Sequence, residues 1–294
     1  MANGWHQEQY YLNLIREILD HGHDETGRNG NVRSVFGYSM RFSLKGGIWP
    51  LLTTKKVAWK TCLHELFWFL RGQTDNRILQ DRGVHIWDEN ASRQFLDGRG
   101  LTKNEEGDLG PIYGHQWRHF NAPYMNCHTD YTGQGVDQIQ YIIDQLKNPE
   151  TRSSRRLVVS AWNPQQLDEM ALPPCHILMQ FYVRDGKYLS CSLYQRSGDV
   201  GLGVPFNIAS YSMLTHILAV HCGLEAEEFV YFLGNAHIYQ EHLDVLKEQV
   251  DRTPIEFPTI TVAKRDQIED YDIDTIEWKT KYQHHSTMKM PMIA

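Results

Sequence analysis

The sequence predicts an α+β fold, read as one domain over residues 1–294. Two observations carry the class. Helical apolar periods and strand-like alternating runs are interleaved along the chain, and two of the alternating runs meet at Asp185-Gly186, a dipeptide that suits the φ > 0 conformation of a tight hairpin turn. A third observation sets the domain count: no Ser/Gly/Pro-rich linker, repeat period or low-complexity tract divides the sequence. Two subdomains meeting near residue 150 form the alternative organisation.

Taken in order, residues 5–21 place Tyr11, Leu14, Ile15, Ile18 and Leu19 at helical spacing, with Gly22 as the stop. SVFGYSMRFSL (34–44) reads as a strand. VAWKTCLHELFWFLR (57–71) is apolar nearly all round, as a buried helix is, and Gly72 closes it. Ile139, Ile142, Ile143 and Leu146 mark a helix over 137–147 capped by Asp137. Strands are expected at 157–162, 176–183 and 188–194. FNIASYSMLTHILAVHC (206–222) is the most apolar helix, ended by Gly223, and a further helix is expected over 237–250. Long loops such as 88–135 are left to carry polar groups.

With 41% hydrophobic and 22% charged residues, the chain can bury a sizeable core. No apolar run approaches the roughly 18 residues needed to cross a membrane, and the opening MANGWHQEQYY lacks the basic-then-apolar pattern of a secretory leader. A cytoplasmic or nuclear address is expected. The five cysteines are odd in number, widely spaced and without Cys-x-x-Cys, which argues against a disulfide framework and a structural zinc site. The net charge of −7 disfavours nucleic-acid binding driven by overall charge, although a local arginine cluster can still grip one phosphate.

Cys175 stands in LPPCHILMQFYV (172–183). Proline fixes its own φ and restricts the residue before it, so Leu172-Pro173-Pro174 is expected to be extended and to deliver the thiol to a defined place. Taken singly, such a cysteine reads as a buried structural thiol. Two other stretches change that reading. Arg155 and Arg156 in SSRRLVVSAWN stand at the mouth of a strand, and LYQRSGDVGLGVPFNIASY (193–211) sets Arg196, Ser197, Asp199, Gly201, Gly203 and Asn207 between a strand and a helix. Guanidinium groups are always charged and offer a planar fork of donors, so several converging on one point suit a phosphate or carboxylate. The same field favours a thiolate. Covalent attack on an anionic small molecule is the chemistry these residues predict, while Arg155 and Arg156 alone read equally well as a solvated edge. Glu65, in HELFWFL, is costly among Leu66, Phe67, Trp68 and Phe69 unless it is hydrogen-bonded or functional.

LHELFWFLRG, GDLGPIYGHQWRHF, SSRRLVVSAWNP, LPPCH, LYQRSGD, GLGVPFNIASY and LGNAHIY follow one another along the chain. From about residue 5 to the last residue the sequence resembles the thymidylate synthase family that uses folate and a cysteine nucleophile. WDENASRQFLDGRGL followed by EEGDLGPIYG is similar to its longer-loop, eukaryote-like branch. The resemblance implies one α+β domain with a large mixed sheet, antiparallel pairs included, packed with helices. It implies that Cys175 adds to C6 of 2′-deoxyuridylate (dUMP) and that C5 then attacks the one-carbon unit of 5,10-methylenetetrahydrofolate. Hydride from the folate completes thymidylate (dTMP) and leaves dihydrofolate, with no metal and no nicotinamide.

The same resemblance implies site roles. Arg196, Arg155 and Arg156 bind the nucleotide phosphate beside Ser197, with Arg28 a further match in a loop that departs from the family pattern. The paired Arg155 and Arg156 come from the second subunit of a homodimer. Asn207 pairs with the pyrimidine, for which its amide can both accept and donate; His237 and Tyr239 contact the sugar. Glu65 organises proton transfer near O4, and Tyr113 serves C5 proton removal. Asp199 holds the pterin, surrounded by Ile86, Trp87, Leu172, Leu202, Gly203 and Phe206; Lys55 meets the glutamyl tail, and Ala294 ends a tail that closes over the folate and excludes water. Two departures stand out: Asn235 replaces the usual aspartate of L-G-D-A-H, and the tail KMPMIA carries Pro291 and ends in Ala294.

Three rivals differ in kind. A dUMP hydroxymethylase shares the nucleophile and folate but traps the intermediate with water; Asn207 favours uracil over cytosine, and Trp87 favours excluding water. A non-catalytic nucleotide- or RNA-binding relative would keep the arginines, but joint retention of Cys175, Glu65, Asn207 and Asp199 speaks against it, and RNA binding is not indicated. A Cys-His hydrolase built on Cys175 has no local signature.

Overall fold

The computed structural model describes residues 5–27 and 29–293; Arg28 and Ala294, both expected site residues, lie outside the described residues. The helices are α1 (Gln9–His21), α2 (Trp59–Leu70), α3 (Asn76–Gln80), α4 (Asp88–Ala91), α5 (Arg93–Gly98), α6 (Tyr113–His119), α7 (Gln138–Lys147), α8 (Gly203–Cys222) and α9 (Leu243–Gln249). The strands are β1 (His23–Gly27), β2 (Gly30–Ser43), β3 (Val158–Ser160), β4 (His176–Arg184), β5 (Tyr188–Asp199), β6 (Glu225–Tyr239), β7 (Ile260–Val262) and β8 (Ile276–Trp278).

Six strands form one mixed sheet in the order β1-β2-β6-β5-β4-β3, and β7 pairs with β8 in a separate ribbon. Among the described residues, β5 and β6 are the only neighbours in this sheet that run parallel. Parallel neighbours need a crossover, and α8 supplies it: its 20 residues span ~30 Å and pack on both strands. Because α8 is apolar on every side, it is buried on every side, and buried side chains from α1, α2, α7, α8 and the sheet form one cluster around it. Asp185 (φ 53°) and Gly186 (φ 63°) turn β4 into β5, as the dipeptide predicted. Asp137 caps α7 through the backbone N–H of Gln140, and Gly223 ends α8 in the left-handed conformation.

Three expectations are corrected. The helix expected over 237–250 is a 3-10 turn at Gln240–His242 followed by α9; residues 237–239 end β6, where Ala236 and Ile238 are buried while His237 and Tyr239 are only half-buried, a period of two. Most of β6 carried no assignment, because a strand paired on both sides inside the sheet is buried almost continuously at its centre and lacks clean alternation. The loop expected over 88–135 contains α4, α5 and α6, helices too short to show an apolar period.

The outer face of the sheet is left open. Leu178, Tyr194 and Phe232 are register partners across β4, β5 and β6 and are all exposed, with Tyr182 close by on β4 at 59% exposure.

Candidate active site

The two prolines before Cys175 do more than stiffen the approach. Their carbonyls accept hydrogen bonds from Arg196, Pro174 from Nε at 2.8 Å and Pro173 from Nη2 at 3.0 Å. Arg196 arrives from β5 across the antiparallel pairing with β4, and its backbone N–H donates to the Cys175 carbonyl at 2.9 Å. Its Nη2 lies 3.8 Å from Cys175 Sγ, and the guanidinium covers the ring of Trp162 at 5.7 Å. A permanent positive charge thus sits where negative charge on sulfur is stabilised.

Tyr113 opens α6 and accepts the backbone N–H of Cys175 at its hydroxyl, 2.8 Å away. Burial holds its phenol protonated, far above the ordinary range. Its ring stacks on His176 at 4.1 Å. His176 turns away from the thiol: Nδ1 meets the Tyr211 hydroxyl at 2.7 Å, and burial pushes the imidazole down to about 3. A neutral, inward-facing His176 is no general base for Cys175, which removes the obvious partner of a Cys-His hydrolase.

Glu65 projects from α2 and accepts the indole N–H of Trp87 at 2.7 Å. Burial pushes its carboxyl up to about 7, against the opposing pull of that hydrogen bond. A carboxyl that titrates near neutrality can both give and take a proton. Trp87, just before α4, lies within 6.4 Å of the Trp68 ring and 6.3 Å of the Tyr113 ring, so one residue links the carboxylate, the phenol and the aromatic wall; Ile86 beside it is half-buried.

Asn207 stands in the second turn of α8, nearly buried, and its side-chain amide forms no hydrogen bond with another described residue. At the start of the same helix lie Leu202, Gly203 and Phe206, half-buried like Leu172 on the cysteine approach. Asp199, at the end of β5, accepts the Gly201 N–H at 2.8 Å and faces His242 Nδ1 at 3.6 Å. Lys55 is buried and donates to the Gly201 carbonyl; desolvation lowers its ammonium to about 8 even with Asp199 and Glu8 opposing. His242 also donates through Nε2 to the Pro291 carbonyl at 2.7 Å, so the C-terminal tail is tied to the Asp199 loop. Gly201 is required here: a Cβ would lie 2.5 Å from His242 Nδ1.

β6 runs beside β5 in register Ser197↔Asn235 and Asp199↔His237. His237 Nδ1 meets Asn235 Oδ1 at 2.9 Å, which makes Nδ1 the donor and leaves Nε2 as the acceptor. The asparagine that replaces the usual aspartate therefore keeps the ring orientation and drops the charge. Burial holds His237 below its ordinary pKa, and its ring meets Tyr239 edge to face at 5.3 Å.

The expected residues do not all converge within one chain. Arg155 and Arg156 are exposed at the turn before β3, and neither guanidinium forms an ion pair with a described residue. Trp162, His242 and Gln195, whose amide donates to the Ser197 carbonyl at 2.8 Å and accepts from Tyr231, were not singled out in the sequence. Each is a single polar or aromatic residue in an otherwise structural stretch, and only tertiary contact gives it a place.

Fold and site together define an enzyme on a mixed-sheet α+β scaffold that presents the Cys175 thiol beside the Arg196 guanidinium. The chain belongs to the thymidylate synthase family: residues 9–294 match the family model described as thymidylate synthase. It is 52% identical over 289 residues to the thymidylate synthase of Human herpesvirus 8 type P (isolate GK18), covering 98% of this chain and 84% of that one. It is 52% identical over 291 residues to the bifunctional dihydrofolate reductase-thymidylate synthase of Leishmania major, and 49% identical over 292 residues to a putative enzyme of the same description from Oryza sativa subsp. japonica. Those matches cover 98% of this chain but 55% and 58% of the relatives, so the chain spans little more than half their length. Neither the family nor these relatives support the hydroxymethylase alternative.

Proposed function

We propose that the protein methylates 2′-deoxyuridylate to thymidylate with 5,10-methylenetetrahydrofolate, releasing dihydrofolate. The observation that carries the reading is the thiol of Cys175 held by a Pro-Pro approach, with Arg196 Nη2 3.8 Å from its sulfur. The folate supplies the one-carbon unit and the hydride; the chain supplies nucleophile, charge and proton management. Cys175 Sγ adds to C6, which places electron density at C5 for attack on the methylene carbon. Asn207, whose amide has no hydrogen-bond partner among the described residues, offers one donor and one acceptor to the uracil edge. Glu65 is suited to moving the proton that the pyrimidine O4 gains and loses, and Tyr113 borders the C5 side through its contact with the cysteine backbone. His237 and Tyr239 face the sugar, Ser197 and Arg196 the phosphate, and Asp199 with Trp87 and Leu202 the pterin. Exclusion of water from the intermediate falls to the tail that carries Pro291, whose carbonyl accepts a hydrogen bond from His242 Nε2.

A symmetric homodimer belongs to this reading. Among the described residues Arg155 and Arg156 have no acidic partner, and the open row Leu178–Tyr194–Phe232 is an apolar surface that a second copy would cover. The arginines then complete the neighbour's phosphate site.

The test is turnover of dUMP with methylenetetrahydrofolate, following dihydrofolate absorbance and identifying the nucleotide by mass, with Cys175→Ala as control. Thymidylate and dihydrofolate in equal amounts, lost in the variant, are expected; a hydroxymethyl product without dihydrofolate, or tight nucleotide binding without turnover, overturns the reading. Mixing inactive Cys175→Ser with inactive Arg156→Ala tests the shared site. Random exchange makes about half the dimers hybrids with one intact site each, returning about a quarter of the parent activity. No recovery after demonstrated exchange refutes the crossing arginine.

A further inference from the structure

Outside the surroundings of Cys175, side chains from three separate segments point four ligand atoms at one spot. Asp75 caps α3, Glu105 lies in the turn before Asp108, and Cys127 and His128 are adjacent in the segment after α6. Asp75, Cys127 and His128 each bring one ligand atom within 4.8 Å of the others, and Glu105 Oε1 adds itself through contacts to His128 Nε2 and, at 3.6 Å, to Cys127 Sγ. The spot already holds positive charge. Arg77 Nη2 lies 2.8 Å from Glu105 Oε1, 3.0 Å from Asp75 Oδ2, 3.2 Å from His128 Nε2 and 3.6 Å from Cys127 Sγ.

We propose that this Asp75, Glu105, Cys127 and His128 cage is a structural binding site for a borderline-soft divalent transition ion of the zinc type, which displaces the Arg77 head. The donor set fits such an ion: one thiol, one imidazole and two carboxylates are the atoms zinc takes in tetrahedral sites. Zinc bonds of about 2.0–2.3 Å require each ligand to close by about 1 Å from its present distance to Nη2. The groups that must move can do so, since the side chains of Glu105 and His128 are 46% and 59% exposed. Arg77, 42% exposed, has a direct exit to solvent and leaves still protonated. The Cys127 thiol gives its proton to solvent as the metal–sulfur bond forms, so two carboxylates, one thiolate and the dication leave a single negative charge.

A ring of supporting contacts aims the ligands. Asp75 Oδ1 is occupied by the Arg77 backbone N–H at 3.0 Å, which leaves Oδ2 for the ion. The N–H of Cys127 donates to Asp108 Oδ2 at 3.3 Å, and that of His128 to Asn126 Oδ1 at 2.9 Å. Asp75, Glu105 and Asp108 outnumber the one guanidinium, and that excess of negative charge attracts a dication. The reading of the cysteines against structural zinc rested on missing Cys-x-x-Cys pairs; this cage needs only one thiol. The ion would clip the 105–108 turn and the 127–128 segment to α3, steadying the stretch that leads through Gly110 to Tyr113, and no catalytic step is assigned to it.

The test is titration of the full chain with zinc alone against a chromophoric chelator, and with cobalt(II) for its thiolate charge-transfer band, in a Cys175→Ser background so that the other thiol does not compete. One equivalent per chain with a cobalt–thiolate band is expected. Cys127→Ser removes the band, and Cys127→Ser and His128→Ala each weaken zinc by about tenfold or more. His128 is exposed, so its variant keeps the test decisive even where Cys127→Ser misfolds. No stoichiometric uptake, uptake unchanged by both variants, or binding that appears only after Arg77→Gln overturns the proposal, the last because the guanidinium is then the resident cation. The readout is metal content, so it is independent of the methylation assay.

Discussion

Trp87→Phe isolates the hydrogen bond between the indole and Glu65. The variant keeps an aromatic ring, though a smaller one, at a nearly buried position and deletes the N–H that donates to Oε1 at 2.7 Å. A bond of this charge-assisted kind contributes about 1.5–3 kcal/mol, and one pKa unit corresponds to about 1.4 kcal/mol. Losing it raises the carboxyl from about 7 to ~8–9, because the bond is what opposes the effect of burial. At pH 7 the ionised fraction falls from about one half to between about a tenth and a hundredth. If turnover requires ionised Glu65, kcat/KM at pH 7 drops ~5–50-fold and the acid limb of its pH profile moves up by ~1–2 units. The assay is kcat/KM for dUMP from about pH 5.5 to 10, with the folate KM measured beside it. A limb that stays near pH 7 while activity falls equally at every pH and the folate KM rises would refute the argument, leaving Trp87 as a wall for the pterin and nothing more.

Glu65→Gln tests the same carboxyl through stability. Its folded pKa is raised from 4.5 to about 7, so its relative contribution is intact below pH 4.5 and lost as pH rises through 7. Urea unfolding is expected to favour the variant increasingly between those limits, by at most ~3 kcal/mol before allowance for partial exposure; a pH-independent difference contradicts the shift. Asn235→Asp places a carboxylate against His237 Nδ1, where the amide now stands at 2.9 Å, and is expected to raise the imidazole pKa by about 1 unit or more in an NMR titration. An unmoved pKa would mean the two side chains do not meet. Tyr113→Phe leaves the Cys175 N–H without its acceptor and is expected to cost about 1–3 kcal/mol in denaturant unfolding, together with weakened turnover; a neutral variant would place the phenol elsewhere.

Local patterns made most of the helices legible. The spacing Tyr11, Leu14, Ile15, Ile18 is an amphipathic face, and in α1 those residues are buried. Asp137, Gly223 and Asp185-Gly186 act through their own backbones and side chains, so their effects are readable from neighbours alone. The opposite holds for β6 and for α3 to α6. β6 carries large apolar residues on both faces, Phe232 on the open one, so its sequence shows no clean alternation, and a helix of two turns or fewer has no period; their conformations are decided by the elements packed on them.

By itself the sequence determined the α+β class, the stiff approach to Cys175, the run of motifs that mark the family, and the list of groups able to grip an anion. Those depend on residue type and on contacts within a few positions. Tertiary structure alone decided which groups meet: Arg196 on Cys175 from another strand, Glu65 on Trp87 across 22 residues, His242 between Asp199 and the tail, and His176 turned to Tyr211 rather than to its neighbour. It also decided which carboxyl titrates near neutrality, because desolvation is a property of the surrounding volume and not of the chain segment.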